Sequence, residues 1–400
     1  MAANTNSLKT YVNMTSYLAE ADGSNGSASV MITRRSWTMI LASHSPMAVY
    51  VDRTLTPLWY LVGLLGNLLS AIVWSQRPMR RNNSSAFYLT SLCVSDMFFL
   101  VLHSLQELKY AWLLRTLEYP VVCELYFLLI LVFQYLSPAL VLCFTVERFI
   151  AVCHPFAKEK YCTDARAVKI VISLVVVCVT LCAIQAYFWR FNSAIGECEI
   201  RPEVEDGGNY SLWSIWTWVT ELTMFLGVPL VILVFNIFVI VEVRKMSRTA
   251  VVLVPLKSSR ESRGGNGVPN ATTSAATTVM LLSVSFYVIA TTLPATLVYV
   301  LHSRFPVGDD SLTDDEISRD PVWQRFLVYF TVRKIVEEIC LSHYACNVFL
   351  YLVTGPQFRA AFLGLVCRGV HEPGAALSRY NLVSGSRVDS SIRRMNLAHV

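Results

Sequence analysis

The sequence predicts an all-α membrane protein built as a bundle of seven spanning helices. Three observations carry that prediction. Of the 400 residues, 54% are hydrophobic and only 15% charged, against ~25% charged residues in a soluble domain. Seven apolar windows divide the chain, most of them near the ~20 residues that cross a ~30 Å hydrocarbon core as a helix. Lysine and arginine gather in alternate connections, the pattern of loops retained in the cytosol.

The windows are 57–75, 86–106, 121–152, 168–189, 212–243, 277–301 and 328–353. The second carries an acid, Asp96, which in hydrocarbon must find partners or a cation. Along a helix through the third, Cys123 and Arg148 stand ~37 Å apart, one near each membrane face. The seventh is the least apolar, holding Arg333, Lys334, Glu337 and Glu338. Arg333 with Glu337, and Lys334 with Glu338, are spaced four apart and are expected to pair on a helix.

Orientation follows from the basic connections. Arg77, Arg80 and Arg81 lie in the first, Lys158, Lys160, Arg166 and Lys169 in the third, and Arg244, Lys245 and Arg248 in the fifth. These loops are expected inside, with the N-terminus outside and the C-terminus in the cytosol. The opposite connections are acidic: Glu197, Glu199, Glu203, Glu205 and Asp206 in the fourth, Asp309, Asp310, Asp314, Asp315, Glu316 and Asp320 in the sixth. Glycosylation sequons at Asn13, Asn25 and Asn209 fall on the outer side. The net charge of +5 is modest and spread over short loops, which does not point to nucleic acid. Eleven cysteines without a CxxC pair support neither a zinc site nor a redox motif. No basic start precedes an apolar core at the N-terminus, so the first spanning helix is expected to direct insertion. The first ~50 residues are polar, and 258–276 has the composition of a flexible loop. No internal repeat supports a transporter built from inverted halves.

A series of short motifs then falls in order along residues 55–368. Gly66-Asn67 stands in the first window, Leu92 and Asp96 in the second, and Cys123 and Glu147-Arg148-Phe149 in the third. Pro229 and Pro294 stand in the fifth and sixth, Asn347 and Tyr351 in the seventh, and Phe358-Arg359 follows. Together they resemble the rhodopsin-like (class A) G-protein-coupled receptors. The run 347–351, followed by Thr354-Gly355, resembles invertebrate neuropeptide receptors of the FMRFamide and myosuppressin type. The resemblance implies a disulfide from Cys123 to Cys198 and a short amphipathic eighth helix along the inner membrane surface. It divides the chain into a tail at 1–55, a bundle at 56–355, the surface helix at 356–368 and a cytoplasmic tail at 369–400.

This sequence departs from that family's pattern at several positions. Val348 replaces the helix-seven proline. Thr292 and Val288 stand where helix six carries aromatics, and Ile237 stands at the helix-five tyrosine position. The usual helix-four tryptophan is missing. Ser274 occupies the inner helix-six position that often bears an acid. Statements about a toggle tryptophan and an inner ionic lock are therefore not carried over.

The resemblance gives several residues roles. Asn67, Asp96, Glu147, Arg148, Pro229, Pro294, Asn347 and Tyr351 would transmit the signal. Asp96, Ser137 and Asn347 would hold a sodium ion as an allosteric ligand; a water-filled hydrogen-bond network is the open alternative. No other cofactor is implied. Glu107, Gln134, Glu221, Thr292 and Glu337 are the candidate ligand contacts. Several acids near one cavity suit a cationic ligand group such as an arginine. Ion pairs within the bundle, Glu337 with Arg333 and Glu107 with Lys109 or Arg115, are the open alternative. His343 is a candidate for the Asp96 space or for plain packing. Cys367 is a candidate for lipidation beside the membrane. Ser384, Ser386, Ser390 and Ser391 suit phosphorylation.

The expected protein is a multi-pass receptor of the plasma membrane, not an enzyme. Its expected ligand is a short, basic, amidated neuropeptide, and its inner partner a heterotrimeric G protein, with receptor kinases and arrestin following. A receptor for a small molecule or sensory ligand is the second reading. A channel or transporter using Asp96 and the helix-seven charges is the third.

Overall fold

The computed structural model describes residues 37–368 apart from 81–82, 113, 115, 118, 194–196, 207–209, 254–268 and 310–311. Asn13, Asn25, Asn209 and the tail serines lie outside the described residues, as does the side chain of Ser274. Eight principal helices follow one another. They are α1 (Pro46–Ser75), α2 (Ser85–Tyr110), α3 (Val122–Cys153) and α4 (Asp164–Cys182). Next is α5, made of Leu212–Leu222, a π turn at Thr223–Gly227 and Val228–Leu253. Then come α6 (Pro269–Leu301), α7 (Pro321–Ala345 continued by Asn347–Thr354) and α8 (Pro356–Arg368). A hairpin of β1 (Trp189–Asn192) and β2 (Glu197–Ile200) lies between α4 and α5 and sets Phe191 opposite Cys198.

Six of these helices, α1 to α6, are long and apolar enough to cross a membrane. The seventh fails on composition because of Arg333, Lys334, Glu337 and Glu338, and their position in the bundle explains why they are tolerated. Arg333 Nε donates to Glu337 at 2.6 Å, and Lys334 Nζ sits 3.0 and 3.3 Å from the two oxygens of Asp52 on α1. Paired charges facing other helices avoid most of the cost of charge in hydrocarbon. The expected Lys334–Glu338 pair is not formed. Position i+4 offered a partner, but Asp52 across the helix interface is bidentate, and Glu338 takes the hydroxyl of Thr56 instead. After Thr354 the chain bends by 111° into α8, where Pro356 has no N–H to continue the α7 ladder.

Four helices begin well before their apolar windows: α4 at Asp164, α6 at Pro269 inside the expected flexible loop 258–276, and α1 and α7. The α1 helix starts at Pro46, inside the expected tail 1–55, and a short helix Trp37–His44 precedes it. Asp52, Arg53 and Pro57 made this stretch read as non-spanning, yet Asp52 is paired and Arg53 donates to the Ala111 carbonyl. Likewise α7 begins at Pro321, seven residues before its window. Its first turns form a small apolar core with Ile40 and Ile317, in which Trp323, Phe326 and Phe330 are buried. Trp323 closes over Gly308, where any Cβ would collide with the indole, and donates to the Asp309 carbonyl.

Close approach of α1 to α7 depends on two glycines one turn apart. A Cβ at Gly63 would strike Leu100 and the backbone of Ala345, and one at Gly66 would meet Val348 at 2.7 Å. Small residues permit such contact between spanning helices, where lipid provides no hydrophobic drive.

Prolines supply further fastenings. A proline at position i leaves the carbonyl at i−4 without its helical donor. Pro229 thus frees Phe225, at the π turn, and Thr296 on α6 donates to that carbonyl at 2.8 Å. Pro138 frees Gln134 in the same way, and the Tyr344 hydroxyl on α7 reaches it at 3.4 Å.

Candidate functional site

A cavity of about 350 Å³ opens between α1, α2, α3, α5, α6 and α7 in the half of the bundle that holds Cys123. Glu107, Gln134, Glu221, Thr292 and Glu337, each from a different helix, all line it. Beside it, Cys123 and Cys198 form a disulfide with a Cα separation of 5.7 Å. The bridge fixes the hairpin to the start of α3, and Trp189 stacks on Phe127 at 3.5 Å between centroids.

The cavity is rich in carboxylates: Asp52, Glu107, Glu221, Glu337 and Glu338 line it, against two permanent cations, Arg333 and Lys334. Their pairing is uneven. Arg333 is held by Glu337 and Lys334 by Asp52, with Glu337 also 3.9 Å from Lys334. Glu221 accepts from the Tyr135 hydroxyl at 2.9 Å, and Tyr135 also reaches Thr220. Glu107, Glu221 and Glu338 form no salt bridge among the described residues. Thr292 is buried, and its hydroxyl donates to Val288 in its own helix. Asp52 and Glu338 line the cavity and Tyr135 donates to Glu221 beside it, although the sequence alone marks none of the three. Asp52 lay in the presumed tail and Glu338 was assigned to Lys334. Tyr135 sits in an apolar run whose one polar hint is its neighbour Gln134.

Deeper in the bundle, Asp96 is fully buried. Ser137 donates to one of its oxygens and Asn347 to the other, both at 2.8 Å. Asn67 donates to the Tyr344 carbonyl at 2.7 Å. The side-chain oxygens of Asn67, Ser70 and Asn347 are buried without a partner among the described residues. An acid and several unsatisfied oxygens fit a small hard cation or ordered water, either of which would supply what these atoms lack. His343 does not join this group. It faces Thr291 of α6 at 3.4 Å and stacks on Tyr344.

At the other end, Arg148 and Glu147 are tied to α2. Ser84 and Ser85 each donate to Glu147 Oε1 at 2.8 Å. Arg148 donates to Ser85 Oγ and lies 3.3 Å from the same carboxylate oxygen. One buried carboxylate thus gathers three donors and joins α3 to the start of α2. The α3–α6 contact nearby is neutral, Thr145 to Ser285 at 3.1 Å. Tyr351 lies elsewhere, fully buried between Trp74 of α1 and Phe358 of α8. Pro294 lies within α6, and Cys367 is exposed on α8. Nothing in the local sequence singles out Ser84 and Ser85, whose role comes from Glu147 on another helix.

Residues 66–337, more than half of the chain, match the family described as 7 transmembrane receptor (rhodopsin family). The chain belongs to that family, which makes it a multi-pass membrane receptor and not an enzyme. It is 30% identical to the pyrokinin-1 receptor of Drosophila melanogaster over 163 residues, covering 39% of this chain and 37% of that receptor. It is 33% identical to the neuromedin U receptor homolog nmur-2 of Caenorhabditis elegans over 117 residues, 28% of each chain. It is 31% identical to the thyrotropin-releasing hormone receptor of Gallus gallus over 139 residues, 34% of each. The match therefore covers well under half the length of each of these relatives.

Proposed function

We propose that this chain is a plasma-membrane receptor for a short, basic, amidated neuropeptide and that it activates a heterotrimeric G protein. The observation that carries the reading is the convergence of carboxylates from four helices, α1, α2, α5 and α7, on one open cavity. An excess of acids over cations favours a cationic ligand group, and the disulfide holds the hairpin at the start of α3. The relatives named for pyrokinin, neuromedin U and thyrotropin-releasing hormone support a peptide within this class. The FMRFamide or myosuppressin type is the narrower proposal, carried by residues 347–355.

In this reading the N-terminus and the hairpin face outward, and the basic connections and α8 face the cytosol. The ligand binds the open state more tightly and shifts the population toward it. Outward movement of α6 breaks the Thr145–Ser285 contact, and Arg148 leaves Ser85 to receive the G protein. Sodium held by Asp96, Ser137 and Asn347 favours the closed state. Receptor kinases and arrestin follow at the cytoplasmic tail.

The test is a calcium and cyclic-nucleotide assay in cells expressing the chain, challenged with a pooled library of amidated peptides. The expected result is a nanomolar response that disappears in Arg148→Ala while surface expression is retained. Silence of well-expressed receptor across the library would sink the peptide reading.

A further inference from the structure

We propose that the α1–α2–α7 wall of the cavity is a guanidinium subsite, in which Glu107 and Glu338 together receive an arginine side chain of the ligand. The proposal deepens the function above and rests on it only for what carries the guanidinium.

The argument starts from which charges are already matched. Lys334 and Asp52 form a bidentate pair at 3.0 and 3.3 Å. Arg333 holds Glu337 at 2.6 Å. The two cations of the cavity and two of its five acids therefore satisfy one another, so Glu337 is a structural partner and not the ligand's first contact. Three acids remain. Of these, Glu221 receives the Tyr135 hydroxyl at 2.9 Å.

Glu107 and Glu338 differ from Glu221. Glu338 Oε1 takes the Thr56 hydroxyl at 2.5 Å, but its Oε2 is buried without a partner among the described residues, and so is Glu107 Oε1. Both residues are more than nine-tenths buried, with 8% and 6% of their surface exposed, and both line the cavity. They interact electrostatically with each other and with Asp52 and Lys334. A buried carboxylate oxygen without a donor costs free energy that an incoming donor recovers. Two such oxygens, presented from separate helices, suit the forked, planar donor set of a guanidinium better than the compact ammonium of a lysine.

The experiment uses the full chain in lipid nanodiscs with arginine amide as probe and citrulline amide, its uncharged near-isostere, as control. Thermal unfolding midpoints against probe concentration give apparent affinities. Arginine amide is expected to stabilise the wild type and citrulline amide to leave it unchanged. E107Q and E338Q are each expected to weaken arginine amide about tenfold, the size of one lost charge-assisted hydrogen bond. E221Q is measured beside them, and E242Q, at the opposite end of α5 from the cavity, should retain binding. Each single variant is informative alone if the other folds poorly, and the unliganded midpoint reports folding independently. The subsite is overturned if arginine amide fails to stabilise the wild type, if citrulline amide does so equally, if both E107Q and E338Q bind normally, or if only E221Q loses binding. Silence in the peptide library leaves this measurement intact, and peptide potency unchanged in E107Q and E338Q sinks the subsite alone.

Discussion

Helices α4 and α7 invert the rule that serves for soluble proteins. The α4 helix is among the most apolar spans, yet only three of its 19 residues are buried against the protein. The α7 helix fails the apolarity test, yet eleven of its first 25 residues are buried. Lipid is as good a solvent for valine as a protein core, so apolar side chains on α4 have no need of neighbours. Charges have the opposite need, and α7 meets it through Asp52, Glu337 and the cavity. On these two helices apolarity does not tell which one faces the bundle.

That contrast breaks at defined places. The largest effect is expected at Lys334. Lys334→Met strands Asp52 beside Glu107 and Glu338 and should cost about 3–5 kcal/mol, the penalty for an uncompensated buried charge. Adding Asp52→Asn should recover most of the loss, and a double-mutant cycle on the unfolding midpoint would show it. A loss that Asp52→Asn leaves untouched would mean the pair is not what holds α7.

The converse test places a charge where α4 meets lipid. Val177 is 58% exposed. Val177→Asp should cost about 2.5–3.5 kcal/mol in membrane insertion, whereas Val177→Ala should stay within about 0.5 kcal/mol. A glycosylation reporter of insertion reads both, and a large effect of the alanine variant would show that a protein partner, not lipid, covers that face.

A smaller effect sharpens the comparison within the bundle. Thr296→Val removes the donor to the Phe225 carbonyl that Pro229 left free. It should cost about 1.5 kcal/mol, the penalty for one buried unsatisfied acceptor. A variant as stable as wild type in the same unfolding assay would show that the freed carbonyl finds another donor.

Much of this organisation is legible in the chain. The seven windows follow from hydropathy and length, and the order of motifs and the five candidate cavity residues from the family resemblance. The misses share one cause. Asp52 fell in the tail because it precedes the apolar window that opens at Pro57, and Glu338 was expected to pair with Lys334 because i+4 is a partner that a single helix offers. Ser84 and Ser85 carry no mark in the sequence, because their partner Glu147 stands 63 and 62 positions away.

The sequence by itself determined which segments enter the membrane and where α5 and α6 carry prolines, since length, apolarity and a missing N–H are properties of a local stretch. Only the tertiary structure decided which acid neutralises which base and which carboxylates are left over. An ion pair is chosen by distance across helices, at 3.0 Å for Lys334 and Asp52, which stand 282 positions apart. Spacing along one helix carries no information about that distance.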